Sequence, residues 1–79
     1  MSNAYAFEPY DVLEVRYADR PEEGWMSFST IRTKDEAIIS ARCVREGRWW
    51  SGAGYVTAEF RIVRSTYTDP CLVVYERNT

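Results

Sequence analysis

The residues of this 79-residue chain that can do chemistry fall into two unlike groups. Carboxylates crowd the beginning: Glu8, Asp11, Glu14, Asp19, Glu22 and Glu23 stand against Arg16 and Arg20, a net of −4 over residues 1–24. On a small rigid body such a cluster offers the negative field that phosphates offer, and so competes with nucleic acid for a basic groove. Glu14, Asp19, Glu22 and Glu23 are the candidates for that contact; the plain alternative is a solvated acidic edge. In a regular strand Asp11 and Glu14 point to opposite faces, so convergence of the four depends on the shape of the hairpin between them. Paired carboxylates also suggest hydrolysis. Glu22 and Glu23, however, are adjacent on a proline-containing loop with no apolar wall to raise a pKa, which argues against acid/base work.

The second group is basic and aromatic. Arg42, Arg45, Arg48, Trp49, Trp50 and Tyr55 are followed by Arg61 and Arg64. Guanidinium groups track phosphates and rings stack on bases, so this set suits a single-strand nucleic-acid binder. Tryptophan and arginine also anchor protein interfaces, and the overall charge of −2 favours a protein partner. Arg48, Trp49, Trp50 and Tyr55 are the candidates here, the structural alternative being that Trp49 or Trp50 caps the end of the core.

Other chemistries are excluded or left without support. There is no histidine, which removes histidine-activated nucleophiles and histidine metal sites. Cys43 and Cys71 lie 28 positions apart with no CxxC partner, so they read as small buried hydrophobes rather than a zinc or redox motif. Gly47, Gly52 and Gly54 lack the lysine and spacing of a phosphate-binding loop. No enzyme activity, cofactor or metal is expected. No apolar run approaches the length of a membrane span, and the N-terminus lacks the regions of a signal peptide, so a cytoplasmic protein is expected. Ser2-Asn3-Ala4 matches a common cloning remnant, although Met1 also allows a native start.

These groups need elements to hold them. Leu13, Val15 and Tyr17 alternate with Glu14 and Arg16, which predicts a first strand from Tyr10 to Tyr17. A polar Pro- and Gly-containing loop over residues 18–24 leads to a second alternating strand, Trp25 to Ile31. Thr33-Lys34-Asp35-Glu36 has capping-box spacing and starts a helix over Lys34–Glu46, with Gly47 as its stop. Ala37, Ile38, Ala41 and Val44 form its core stripe, and Ile39 with Cys43 forms a second patch pointing elsewhere. Gly47 to Gly54 reads as a flexible loop carrying two tryptophans. A third strand follows, with Val56, Ala58, Phe60 and Ile62 on one face. After the turn at Ser65 to Pro70, Cys71 to Tyr75 is apolar on both sides, as in a covered or central strand.

The fold expected is α+β: one domain over residues 1–79, with 1–9 a flexible lead-in, and a four-stranded antiparallel sheet carrying one helix on one face in the order β-β-α-β-β. On the open face, Glu14, Arg16, Glu59 and Arg61 are placed to form cross-strand ion pairs. A chain this short has a radius of gyration of about 12 Å and a thin core. Its twelve aromatic residues exceed what that core hides, leaving Tyr5-Phe7-Tyr10 and Trp49-Trp50-Tyr55 as the exposed candidates.

In size, acidity and element order, with the helix start Ile31-Arg32-Thr33-Lys34-Asp35-Glu36-Ala37, the chain resembles the small anti-CRISPR proteins of phages that inhibit type I systems. That resemblance implies a non-enzymatic inhibitor, in the bacterial host cytoplasm, that binds the CRISPR surveillance complex (Cascade) and blocks its engagement of target DNA. It assigns no residues, because such inhibitors share no common motif. A nucleic-acid-binding module using Arg48, Trp49, Trp50 and Arg61, and a self-associating structural protein of a phage or mobile element, are the competing readings.

Overall fold

Period-two alternation produces most of the strands, and its interruptions decide where they bend. In the computed structural model, which describes residues 5–77, the chain runs β1 (Asp11–Arg16), β2 (Met26–Ile31), α1 (Lys34–Glu46), β3 (Arg48–Trp50), β4 (Tyr55–Thr57), β5 (Glu59–Arg64) and β6 (Leu72–Glu76). A 3-10 turn at Pro21–Glu23 lies between β1 and β2. The Ser2-Asn3-Ala4 segment is outside the described residues. The architecture is α+β: a four-stranded antiparallel sheet in the spatial order β2-β1-β5-β6, one helix, and a separate two-stranded sheet of β3 and β4. The radius of gyration is 12.2 Å. No helix of the described residues is long and apolar enough to cross a membrane.

Leu13 and Val15 of β1, Ile31 of β2, Phe60 and Ile62 of β5 and Tyr75 of β6 form the sheet's share of the core, and Ala37, Ala41, Cys43 and Val44 of α1 cover it. The helix starts as its sequence predicts: the Glu36 amide donates to Thr33 Oγ1 at 3.1 Å, and the Glu36 carboxylate accepts from the Arg32 amide at 2.7 Å. It ends at Gly47, whose left-handed φ of 67° lets its N–H reach the Cys43 carbonyl at 2.8 Å. A Cβ at Gly47 would also stand 2.9 Å from the Arg77 guanidinium.

Several sequence expectations need correction. Ile38, assigned to the core stripe, is 50% exposed, whereas Cys43, assigned to an outward patch, is buried. The small residues Ala37, Ser40 and Ala41 lie against the sheet, and this rotates Ile38 outward and Cys43 inward. Cys71 is exposed, so only one of the two cysteines is a buried hydrophobe; both are free thiols. The apolar run at the end of the chain is an edge strand, and the central strands are β1 and β5. Finally, the β-β-α-β-β order omits a hairpin. The expected flexible loop contains β3, and the expected third strand is divided at Ala58 into β4 and β5. Ala58 donates its N–H to the Gly47 carbonyl at 3.1 Å, which moves the chain from the small sheet to the large one.

Both edge strands carry an irregularity, β2 opposite Leu13/Glu14 and β6 opposite Ile62/Val63. The one in β2 lets Phe28 and Ile31, an odd number of residues apart, both face the core. Residues 5–9, expected to be part of a flexible lead-in, are tied down: Tyr5 and Phe7 pack against the core, and the Tyr5 ring lies 5.8 Å from that of Tyr75. The Tyr75 hydroxyl is buried without a hydrogen-bond partner among the described residues.

Candidate functional site

The β3–β4 hairpin gathers the exposed aromatic surface. Gly47 turns the chain straight from α1 into β3, and strand alternation then sends Trp49 to one side and Arg48 and Trp50 to the other. Trp49 faces inward, its ring edge-on to Phe28 at 5.0 Å, and Phe28 in turn meets Phe60 at 5.6 Å. This aromatic ladder fastens the hairpin to the core. Trp50 and Tyr55, directly opposite across the strands, stack edge to face at 5.1 Å and remain 57% and 55% exposed. The Arg48 guanidinium lies 3.9 Å above the Tyr55 ring, with its Nε donating to Glu46 at 3.2 Å. At the tip, the Ser51 amide and hydroxyl both donate to the Gly54 carbonyl at 2.9 Å, and Gly52 takes a φ of 94°.

Of the four candidates that the sequence placed on a loop, Arg48, Trp50 and Tyr55 therefore share one surface, and Trp49 is the anchor. The other members of the basic group are elsewhere. Arg61 is on the outer sheet face, Arg64 is beside β1, and Arg42 and Arg45 are exposed on α1.

The acidic candidates separate as well. Asp19, Glu22 and Glu23 share the β1–β2 loop, where Arg20 sits 3.8 Å from Asp19 and 3.7 Å from Glu23 and folds over the Tyr17 ring at 4.3 Å. Glu14 is apart from them, on the outer face of the sheet. There Arg61 Nε donates to Glu14 at 2.8 Å and Arg16 Nη2 to Glu59 at 2.6 Å, both across directly opposed positions of β1 and β5, as their register requires. Trp25 lies beneath both guanidinium groups, 4.7 Å from that of Arg16 and 4.3 Å from that of Arg61. These charges satisfy one another, so Glu14 belongs to a structural plate. The start of the acidic loop and the base of the hairpin nonetheless line one shallow cleft of about 390 Å³, which includes Tyr17, Pro21, Thr57 and Arg77.

The most strongly perturbed groups form a clip that the sequence did not reveal. Asp11 is buried and receives Arg64 in a two-pronged contact, Nε at 2.8 Å and Nη2 at 3.0 Å. The Tyr5 hydroxyl also donates to it, as does the Glu8 amide at 3.2 Å, and Arg64 Nη2 reaches the Ala6 carbonyl at 2.9 Å. Burial alone would raise the Asp11 pKa, but the Arg64 and Tyr5 hydrogen bonds, with the Glu8 amide, outweigh it and hold the carboxyl below its ordinary value. Burial and the neighbouring Asp11 charge push the Tyr5 phenol up. Hydrogen bonding to Asp11 raises Arg64, despite opposing desolvation. Burial likewise raises the Cys43 thiol, which keeps it protonated and a poor nucleophile.

Two exposed aromatics outside the hairpin complete the surface. Tyr10, at a left-handed φ of 73°, is 74% exposed and is the exposed member of the Tyr5-Phe7-Tyr10 run, and Tyr67 on the β5–β6 turn stands fully in solvent. Tyr67 lacked any signal beyond its position in a turn sequence. No group of three or more His, Cys, Asp or Glu positioned to hold a metal ion occurs among the described residues. No protein-family model matches the chain, and neither does any curated protein or any solved structure.

Proposed function

We propose that the protein is a non-enzymatic binding protein that acts as an inhibitor, meeting its protein partner through Arg48, Trp50 and Tyr55, with the acidic loop of Asp19, Glu22 and Glu23 as a second contact across the cleft. The observation that carries this reading is the exposure of two large stacked rings and an arginine on a hairpin fastened to the core by Trp49. Trp and Tyr side chains, with two rotatable bonds each, lose little freedom on docking, and Trp, Tyr and Arg are the commonest energetic centres of protein interfaces. The guanidinium of Arg48 is already engaged by Glu46 and Tyr55, so it is poorly placed to neutralise a phosphate, which favours a protein over a nucleic acid. The acidic loop would steer the encounter with a basic surface. A type I CRISPR surveillance complex, whose basic surfaces serve to engage target DNA, is the partner of that kind to examine first.

The test measures target-DNA binding by a purified type I surveillance complex in the presence of wild-type protein, W50A/Y55A and E22R/E23R. Loss of both rings is expected to weaken inhibition by about a hundredfold, since hot-spot truncations cost about 2 kcal/mol or more. Reversal of the two glutamates is expected to slow association and to weaken inhibition as well. If wild-type protein leaves DNA binding unchanged, the partner is wrong. If it inhibits and W50A/Y55A inhibits equally, the hairpin is not the contact.

A further inference from the structure

Away from the hairpin, α1 and the N-terminal segment enclose a groove of about 500 Å³. Tyr5 and Phe7 form one wall, Ile38 and Ala41 the other, and Lys34 and Arg45 stand at its two ends. Lys34, Ile38, Ala41 and Arg45 follow the i, i+4, i+7, i+11 spacing of a single helical face, so the two cations are about 16 Å apart along the helix.

Among the described residues the cations of this groove have no ion-pair partner. Arg16, Arg20, Arg48, Arg61 and Arg64 each form an ion pair, whereas Lys34 and Arg45 form none among the described residues, nor does Arg42 on the adjoining face of α1. Among the helix carboxylates, Glu36 is engaged in the cap and Glu46 with Arg48, leaving Asp35 beside Lys34. Ile38 places an aliphatic side chain half in water between the two cations. An apolar floor bounded at both ends by positive charge complements a segment with apolar centre and acidic ends.

We propose that this groove is a second docking site and that its occupant is an acidic amphipathic helix of a partner protein. A helix fits better than an extended strand, because the backbone hydrogen bonds of α1 are satisfied internally and the groove offers no sheet edge for a strand to join. The occupant's carboxylates would be about three turns apart, matching Lys34 and Arg45, with apolar side chains between them over Ile38 and Ala41.

Two synthetic helical peptides of identical composition test this against the ¹⁵N-labelled full chain: one has glutamates at both ends of a leucine-bearing face, the other has them gathered at its centre. The end-charged peptide is expected to shift the amides of Ala37, Ile38 and Ala41 and to bind at least about tenfold tighter than its isomer. K34E/R45E and I38E, exposed positions whose folding is checked by circular dichroism, are each expected to weaken it by about tenfold or more. Equal binding of the two peptides, no shifts at about 1 mM peptide, or shifts confined to the β3–β4 hairpin would each overturn the proposal. Concentration-dependent shifts of the groove without peptide would assign it to a second copy of the chain and overturn it too. The readout is local to α1 and leaves Trp50 and Tyr55 untouched, so it stands apart from inhibition through the hairpin.

Discussion

Asp11 is the residue on which the start of the chain depends. Its buried carboxylate faces Arg64, Tyr5 and the Glu8 amide at once, so removing its charge takes away the buried, two-pronged partner of the guanidinium and leaves it only the exposed Glu8 carboxylate at 3.5 Å. Asp11→Asn is expected to lower stability by about 3 kcal/mol, read from urea unfolding. Because the folded-state pKa is depressed, the contribution of Asp11 is complete above the unfolded value of about 4 and is lost as pH falls through the lower folded value. The acid limb of the wild-type stability curve should therefore be steeper than that of D11N, and equal limbs would show that the carboxylate is not held as described. The sequence could not display this pair. Arg64 is 53 positions away and meets Asp11 only because β5 pairs with β1 in one register. Glu14 with Arg61, three positions further along the same pair of strands, was legible because alternation alone places both on the outer face.

At the scale of elements, local chemistry was read well and the pairing of β3 with β4 was not. The helix limits followed from Thr33, Glu36 and Gly47, whose cap hydrogen bonds depend on neighbours in the chain. The β3–β4 hairpin was hidden because three glycines and a serine around two tryptophans look the same whether or not the flanking residues pair. The aromatic group was therefore found by composition, while the inward Trp49 and outward Trp50 needed the strand to distinguish them. Their mutants should separate accordingly. Trp49→Ala removes the ring that fastens the hairpin to Phe28 and is expected to cost about 3 kcal/mol, whereas Trp50→Ala is expected to stay within about 0.5 kcal/mol of wild type. Thermal melts of the two variants decide this, and equal losses would contradict the assignment of anchor and platform. The edge position of β6 was illegible for a related reason. An apolar run reports burial without saying how many neighbours supply it.

For the molecule as a whole, the distribution of charge is more telling than its sum. The net of −2 conceals an acidic loop beside the aromatic hairpin and a cationic face on α1 that is unpaired among the described residues, two surfaces of opposite sign on a body with a 12.2 Å radius of gyration. With no histidine, Asp11 lowered and Tyr5 raised, the perturbed groups titrate outside the neutral range. The melting temperature is expected to be level between about pH 6 and 8, checked by differential scanning calorimetry, and a step in that window would contradict this placement of the perturbed groups.

The Arg64 clip also orders events in time. It closes a span of more than fifty residues, so its hold on the N-terminal arm begins only when β5 has left the ribosome and paired with β1, and the packing of Tyr5 on Tyr75 waits for β6 as well. That arm supplies Tyr5 and Phe7, one wall of the groove along α1. A nascent chain that has completed its helix thus still has no groove beside it, and an acidic segment can be captured there only by a chain whose second half has already been made.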